Sequence, residues 1–97
     1  MVSDEINLIL ASVSSITEIP PEDILSKSKQ SDIVDARYIV IKILYNKGYS
    51  ISRISKVFNI SGTGVRNIIQ LSDDRLKYNK LLYRFYKEAS NILDAKT

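Results

Sequence analysis

The chain has 97 residues, the size of one small domain, since chains usually divide into several domains only beyond about 250 residues. It contains neither cysteine nor histidine, which excludes disulfides, cysteine-ligated zinc, thiol catalysis and any mechanism with a histidine base. None of its three glycines belongs to a nucleotide-phosphate motif, and no apolar run approaches a membrane span. We therefore expect a soluble intracellular protein that has no cofactor, no bound metal and no membrane partner.

Charge is distributed unevenly along the chain. Residues 1–25 hold five acidic and no basic residues, for a net charge of −5, whereas residues 26–97 carry a net charge of +8. A basic body of this kind suggests a polyanionic partner such as a nucleic acid. The alternative interpretation is a solvated surface that is simply rich in lysine.

Apolar residues recur at helical spacing along the chain, and no segment requires a strand, so we predict an all-α fold. About five helices are expected, at residues 4–16, 31–47, 51–58, 62–71 and 74–95, with a short turn at residues 22–25. Pro20 and Pro21 end the first helix, and Gly48 ends the next long one. The wide apolar face of residues 31–47 predicts a central helix that packs on several sides.

The long last helix is predicted to pack through one apolar stripe. Its members are Tyr78, Leu81, Leu82, Phe85, Ala89, Ile92 and Leu93. Residues of this spacing share one face of a helix, so we expect that face to lie against the rest of the domain.

The two short helices at residues 51–58 and 62–71 carry the functional signal. Ser50 and Ser61 suit the N-cap positions of these helices, and Asn59 suits the turn because asparagine tolerates unusual backbone angles. Two short helices joined by a tight turn within a basic all-α domain predict a helix-turn-helix. The second helix would then be the recognition helix, which enters the major groove of duplex DNA.

Helical periodicity turns the apolar side chains of this second helix inward and leaves polar side chains outward. The inward residues are Val65, Ile68 and Ile69, and the outward residues are Thr63, Arg66, Asn67 and Gln70. Asn and Gln can bind adenine, Arg can bind guanine, and Thr can contact a base edge or a thymine methyl group. The alternative is an ordinary solvent-exposed face. We predict that these four residues, with Ser61 before them, contact DNA.

Basic residues outside the recognition helix fit contacts with the phosphate backbone of DNA. They are Lys27, Lys29, Arg37, Arg53 and Lys56. Residues 27–66 hold eight basic and two acidic side chains. Phosphate contacts supply most of the affinity of such domains, so this balance predicts salt-dependent binding.

Three segments resemble the C-terminal DNA-binding domain of the bacterial replication initiator DnaA. They are residues 23–29 (DILSKSK), residues 33–37 (IVDAR) and residues 50–58 (SISRISKVF), and the resemblance spans residues 17–93. It implies a Trp-repressor-like helix-turn-helix domain over residues 20–97. The acidic helix within residues 1–19 is expected to pack on that domain.

The resemblance also implies roles for individual residues. In that family a basic loop grips phosphates, an arginine reaches the minor groove, and the second helix of the motif enters the major groove. The matching positions here are Lys27 and Lys29 in the loop and Arg37 for the arginine. An alternative for Arg37 is an ion pair with Asp32 or Glu22 that only stabilises the fold.

The recognition segment departs from the family pattern. Where the family reads N-R-D-H-T-T-V, this chain keeps Asn59, Thr63 and Val65 but has Ile-Ser-Gly at residues 60–62 in place of Arg-Asp-His. The base-reading code of the family is therefore missing. We expect a weak target motif that differs from the origin box of the initiator.

Two glycines in the same segment admit two interpretations. Gly62 and Gly64 would let backbone N–H groups approach a phosphate at a helix N-terminus, or they reflect a turn that starts the helix late. The residues themselves favour neither interpretation.

The combined expectation is a non-enzymatic domain that binds duplex DNA. The ATPase domain of the initiator is not in this sequence, so a stand-alone replication or transcription factor of a phage or mobile element is expected. Such a protein would act in the cytoplasm, at a prokaryotic nucleoid or in a phage-infected cell.

Three other functions stay open. The first is a protein-interaction module that uses the acidic first helix or three tyrosines, Tyr78, Tyr83 and Tyr86, whose alternative role is ordinary helix packing. The second is a structural component of a virion. The third is an enzyme, whose best candidates are the carboxylates Asp32, Asp35, Asp73 and Asp74. These acids also suit helix starts, where the helix dipole explains them without any chemistry.

Overall fold

The computed structural model describes residues 4–95, and within them the chain forms helices and no strand. The helices are α1 (Asp4–Thr17), α2 (Pro21–Ile24), α3 (Ser31–Asn46), α4 (Ile51–Phe58), α5 (Gly62–Tyr78) and α6 (Lys80–Ala95). The all-α prediction is confirmed. No helix in this part of the chain is both long and apolar enough to cross a membrane.

Helix α3 lies at the centre of the fold and packs against each of the other five helices, as its wide apolar face predicts. Ile39, Val40, Ile41 and Leu44 are buried on different sides of this helix. A helix that is buried on several sides supplies the scaffold on which neighbouring helices are positioned.

Helix α1 belongs to the same hydrophobic core as the rest of the chain. It packs against α3 and α6 through Ile6, Ile9, Leu10 and Val13, all of which are buried. Its acidic residues Asp4 and Glu5 remain exposed, as does Glu18 directly after the helix. The acidic segment is therefore an integral layer of the domain, with its charge on the outside.

The local stop signals lie where the sequence predicts them. Pro21 is the first residue of α2, and Gly48, with a φ of 96°, follows the end of α3. Helix α1 ends differently, because Glu18 adopts a left-handed φ of 61° while its amide donates to the carbonyl of Ser14 at 2.8 Å. This conformation usually falls to glycine or asparagine.

The boundary between the last two helices differs from the prediction. Helix α5 runs on to Tyr78 instead of ending at Leu71, and α6 begins at Lys80 instead of Asp74. Asn79 separates them in an extended conformation, and its side-chain oxygen accepts a hydrogen bond from the amide of Leu82 at 3.1 Å. Asn79 is therefore the residue that caps α6.

The predicted apolar stripe of the last helix packs only in part. Leu82, Ala89 and Leu93 are buried, and Phe85 is half-buried against the core. Three members of the stripe are exposed, namely Tyr78, Leu81 and Ile92. The break at Asn79 explains part of the error, because Tyr78 belongs to α5 and the stripe does not continue across the junction.

Candidate nucleic-acid interface

Helices α4 and α5 form a tightly connected pair. Ser50 caps α4 by accepting from the amide of Arg53 at 3.1 Å, and Ser61 caps α5 by accepting from the amide of Gly64 at 3.0 Å. Asn59 ends α4 in the left-handed region, with φ 54° and ψ 47°. The two predicted caps and the predicted asparagine turn are confirmed. Together they set the direction in which α5 leaves the turn.

Burial of three apolar side chains packs the pair together and onto the core. Ile54, Phe58 and Val65 are almost completely inaccessible, and Ile68 and Ile69 pack half-buried against the same core. The inward prediction for α5 is therefore confirmed. This packing leaves the opposite face of α5 to solvent.

The two glycines at the start of α5 lie within the helix, which begins at Gly62, so the interpretation of a late start is wrong. A side-chain carbon added at Gly64 would lie 3.2 Å from the hydroxyl oxygen of Ser61, a tight contact with the capping group. Glycine at this position therefore leaves space for the Ser61 cap. At Gly62 an added carbon would meet Ile51 at an ordinary 3.7 Å.

The outward side chains of α5 are exposed as predicted. Thr63, Arg66, Asn67 and Gln70 all face solvent. None of the four makes a side-chain hydrogen bond or ion pair with another residue of the described chain. Their donors and acceptors therefore remain available to an external partner.

The extension of α5 lengthens the exposed face beyond the predicted end of the helix at Leu71. Asp74 follows Asn67 by two helical turns and Gln70 by one, so it lies on the same face as these residues. Asp74 is exposed and makes no ion pair with any described residue. Lys77 follows Gln70 by two helical turns and is also exposed, so this end of the face carries one acidic and one basic side chain.

The basic loop, residues 25–30, connects α2 to α3 and carries Lys27 and Lys29 with both side chains exposed. One groove of the surface is lined by this loop together with Arg37, the turn residue Ile60 and the α5 residue Ile68. The structure therefore brings Lys27, Lys29 and Arg37 to the edge of the helix-turn-helix.

Arg37 is half-buried and directed toward the basic loop. Its guanidinium donates hydrogen bonds to three backbone carbonyls of the preceding segment, and burial lowers the pKa of the group from its usual value. It makes no ion pair with Asp32 or Glu22 among the described residues, so the partners suggested in the alternative for Arg37 are wrong.

A second groove, lined mainly by polar residues, lies between the outer face of α4 and the start of α5. Ser52 and Ser55 line it from α4, and Thr63 and Arg66 line it from α5. The serine hydroxyl of Ser55 donates to the carbonyl of Ser52 at 2.9 Å. This groove places the first two predicted base-reading residues beside the helix that would cross the DNA backbone.

The other two predicted phosphate contacts lie on the exposed face of α4. Arg53 stacks over the ring of Tyr49 at 5.6 Å, and the hydroxyl of Tyr49 donates to Glu5 in α1. Arg53 therefore lies against the tyrosine whose hydroxyl contacts the acidic first helix. Lys56, one turn further along, is exposed. Neither residue lines the groove of the basic loop.

Two of the four carboxylates considered for catalysis form ion pairs with other helices. Asp35 accepts from Arg75 at 2.6 Å, and Asp73 pairs with Lys42. Asp73 and Asp74 lie in the interior of α5, so their interpretation as helix-start acids is wrong, whereas Asp32 does lie in the first turn of α3. Within residues 4–95, no group of three or more acidic side chains is arranged to hold a metal ion.

The three tyrosines divide into two kinds. Tyr86 packs half-buried against the core, and its hydroxyl oxygen accepts a hydrogen bond from the side-chain amide Nδ2 of Asn46 at 2.7 Å. Tyr78 is 78% exposed and Tyr83 is 48% exposed, so ordinary helix packing does not account for these two rings. Leu81 lies near them in sequence and is 57% exposed.

In comparisons with known proteins, no family model matches the chain, and no curated protein matches it.

Proposed function

We propose that this protein binds duplex DNA without catalysing a reaction, with the first turns of α5 in the major groove and the basic loop on the phosphate backbone. The observation that carries the proposal is the exposed face of α5. Its four polar side chains lack partners within the described chain, and their chemical types are those that read base edges. The resemblance to the DnaA domain suggests the same use of the motif.

Charge supports the same partner. Lys27 and Lys29 are exposed at the edge of the motif, and Arg66 is exposed on α5 itself. Exposed lysines and arginines of this kind release condensed counterions when they bind phosphates, which is a large part of the free energy of DNA binding. Protein and DNA would then associate strongly at low salt and weakly at high salt.

A fluorescence-anisotropy titration of the purified protein with a labelled 20-base-pair duplex of mixed sequence, on the order of one site long, tests this proposal. About five or six phosphate contacts would give a slope near −5 when the logarithm of affinity is plotted against the logarithm of salt concentration. A slope near zero, or no binding at low salt, contradicts the proposal.

Charge-matched variants separate the proposed interface from general basicity. The variant Lys27→Ala/Lys29→Ala removes two charges from the basic loop, and Arg84→Ala/Lys87→Ala removes two from the exposed surface of α6. We expect the loop variant to lower the magnitude of the salt slope by about 2 and the α6 variant to leave it unchanged. Equal effects of the two variants would contradict the assignment of the loop.

A protein-interaction function is the second candidate, and one observation favours it. Tyr78, Leu81 and Tyr83 are exposed around the junction of α5 and α6, and none of the three is needed for the proposed DNA contact. If the wild-type protein fails to bind DNA at low salt, this surface becomes the leading candidate for function.

A further inference from the structure

Serine and lysine alternate in the basic loop, and the two residue types have different surroundings. Lys27 and Lys29 are exposed, whereas Ser26 and Ser28, each of which precedes a lysine, are half-buried. The amide of Ser28 donates to the hydroxyl of Ser26, and the amide of Gln30 donates to the hydroxyl of Ser28, both at 3.2 Å. The serines therefore bond the backbone of the loop, while the lysines face solvent.

Backbone carbonyls of the loop and of the end of α2 converge on Arg37. The Nε atom of Arg37 donates to the carbonyl of Ile24, the last residue of α2, at 3.0 Å. One terminal nitrogen donates to the carbonyl of Ser28 at 3.1 Å, and the other donates to that of Ser26 at 2.5 Å. The three acceptors belong to alternate residues, so one rigid, planar group fixes the loop at two points and joins it to the end of α2. Lysine cannot reproduce this arrangement because its donors radiate from a single atom.

The backbone of α3 at Arg37 is held in place by the packing of the neighbouring residues. Ala36 on one side of Arg37 is completely buried, and Tyr38 on the other is half-buried, so the backbone at this point cannot shift without disturbing the core. Helical backbone hydrogen bonds reach Leu25 and Ser26 from α2 and begin again at Gln30, so residues 27–29 between them are held by the serines and by Arg37. Arg37 thereby joins the loop that carries Lys27 and Lys29 to the packed central helix, which restricts movement of the loop.

We propose that Arg37 is a positioning residue that orders the basic loop for phosphate binding and that its guanidinium acts through Lys27 and Lys29. This inference rests on the proposed DNA-binding function and assigns Arg37 a role other than direct contact in the minor groove. A loop that is already ordered loses little conformational freedom when it binds, so its two ammonium groups bind phosphates more tightly than those of a flexible loop.

Limited trypsin digestion reports the order of the loop without any DNA. Trypsin cleaves after lysine, so Lys27 and Lys29 are themselves the reporters. We expect Arg37→Met and Arg37→Lys to accelerate cleavage at these two sites by about tenfold, because local opening of a segment governs its cleavage. The matched control is Arg84→Met, whose guanidinium pairs with Glu88 on the exposed surface of α6. Cleavage rates are compared well below the melting temperature of each variant.

A double-mutant cycle then tests the connection to DNA. We expect Arg37→Met to weaken binding to the 20-base-pair duplex about tenfold in the wild-type background, but less than about twofold in the Lys27→Ala/Lys29→Ala background, since residues that act through one another are not additive. Arg37→Lys should resemble Arg37→Met although it keeps the charge.

The outcomes distinguish the inference from the proposed function. Failure of the wild-type protein to bind DNA at low salt overturns both the proposed function and the role of Arg37 in it. If the wild type binds, equal cleavage of all variants overturns the inference alone. Independent, multiplicative losses in the cycle also overturn it, because they indicate that Arg37 contacts DNA itself.

Discussion

The two halves of α5 use their polar side chains in opposite ways. In the second half, Arg75 pairs with Asp35 and stacks over the ring of Tyr38 at 5.1 Å, and Asp73 pairs with Lys42, so three residues of α3 hold this half in place. In the first half, Arg66, Asn67 and Gln70 make no such contacts with the described residues. Ion pairs therefore join the second half of α5 to α3, whereas the exposed polar side chains of the first half have no partner among the described residues.

Under the proposed function, this difference separates a binding surface from the contacts that hold it in place. Polar side chains that face solvent without partners contribute little to stability, since substitutions at such positions usually change it by less than about 0.5 kcal/mol. The anchored half supplies the fixed geometry that such binding needs. Substitutions in the two halves are expected to separate stability from DNA binding.

The largest effect is expected at Val65, the buried residue of the first half. Val65→Ala removes two methyl groups from a completely buried site, so the free energy of unfolding should fall by about 2 kcal/mol through lost transfer energy and the cavity that remains. Urea denaturation measures the change. A loss below about 0.5 kcal/mol would indicate that the first half of α5 is not packed as described.

Substitution of Asn67 should change DNA binding and leave stability the same. Asn67→Ala should relax the preference at one base position by about 1–3 kcal/mol while the melting temperature stays the same, because the side chain is exposed and unpaired. Selection from a random oligonucleotide pool measures the preference. Asn91→Ala makes the same chemical change on the exposed surface of α6 and should leave any selected motif intact. A motif that survives in both variants would rule out base reading by Asn67.

The ion pair of the second half should affect stability alone. Asp35 and Arg75 are partly exposed, so a double-mutant cycle with Asp35→Asn and Arg75→Met should give a coupling energy of about 0.2–1 kcal/mol. Thermal melts of the four proteins measure it. DNA affinity should be the same in all four, and a loss of affinity that exceeds the loss of stability would contradict the division between the two halves.

The smallest effect is expected at Ser72, which lies two turns after Val65 on the same face and is also completely buried. Its hydroxyl donates only to the carbonyl of Ile69 at 2.7 Å, within its own helix. Ser72→Ala should therefore change the free energy of unfolding by less than about 0.5 kcal/mol, with the better helix propensity of alanine offsetting the lost bond. A clearly larger destabilisation in urea would show that the hydroxyl has a further role in packing.

Local signals in the sequence predicted the helix-turn-helix region closely. Helix α4 covers residues 51–58 as expected, because Ser50 supplies a side-chain acceptor at its start and Asn59 accepts the left-handed conformation at its end. The start of α5 was predicted from the capping residue Ser61, and its inward face was predicted from the spacing of its apolar residues. Caps and apolar spacing act over a few residues, so they can be recognised without knowledge of the fold.

The partners of individual side chains could not be predicted in this way. One alternative from the sequence paired Arg37 with a carboxylate, whereas the structure gives it two backbone carbonyls of the basic loop and one at the end of α2. Backbone carbonyls are present at every residue and leave no signal in a sequence. Only the packing of α2 and the loop against α3 determines which of them Arg37 meets.

The end of α5 shows what the sequence by itself determined and what the tertiary structure decided. The sequence determined an all-α chain, its central helix and its turn, because apolar periodicity and caps are local properties. It also predicted that the last helix begins at Asp74, because Asp73 and Asp74 suit a helix start. Pairing of Asp73 and Arg75 with residues of α3 keeps this position inside α5, and the chain breaks at Asn79 instead.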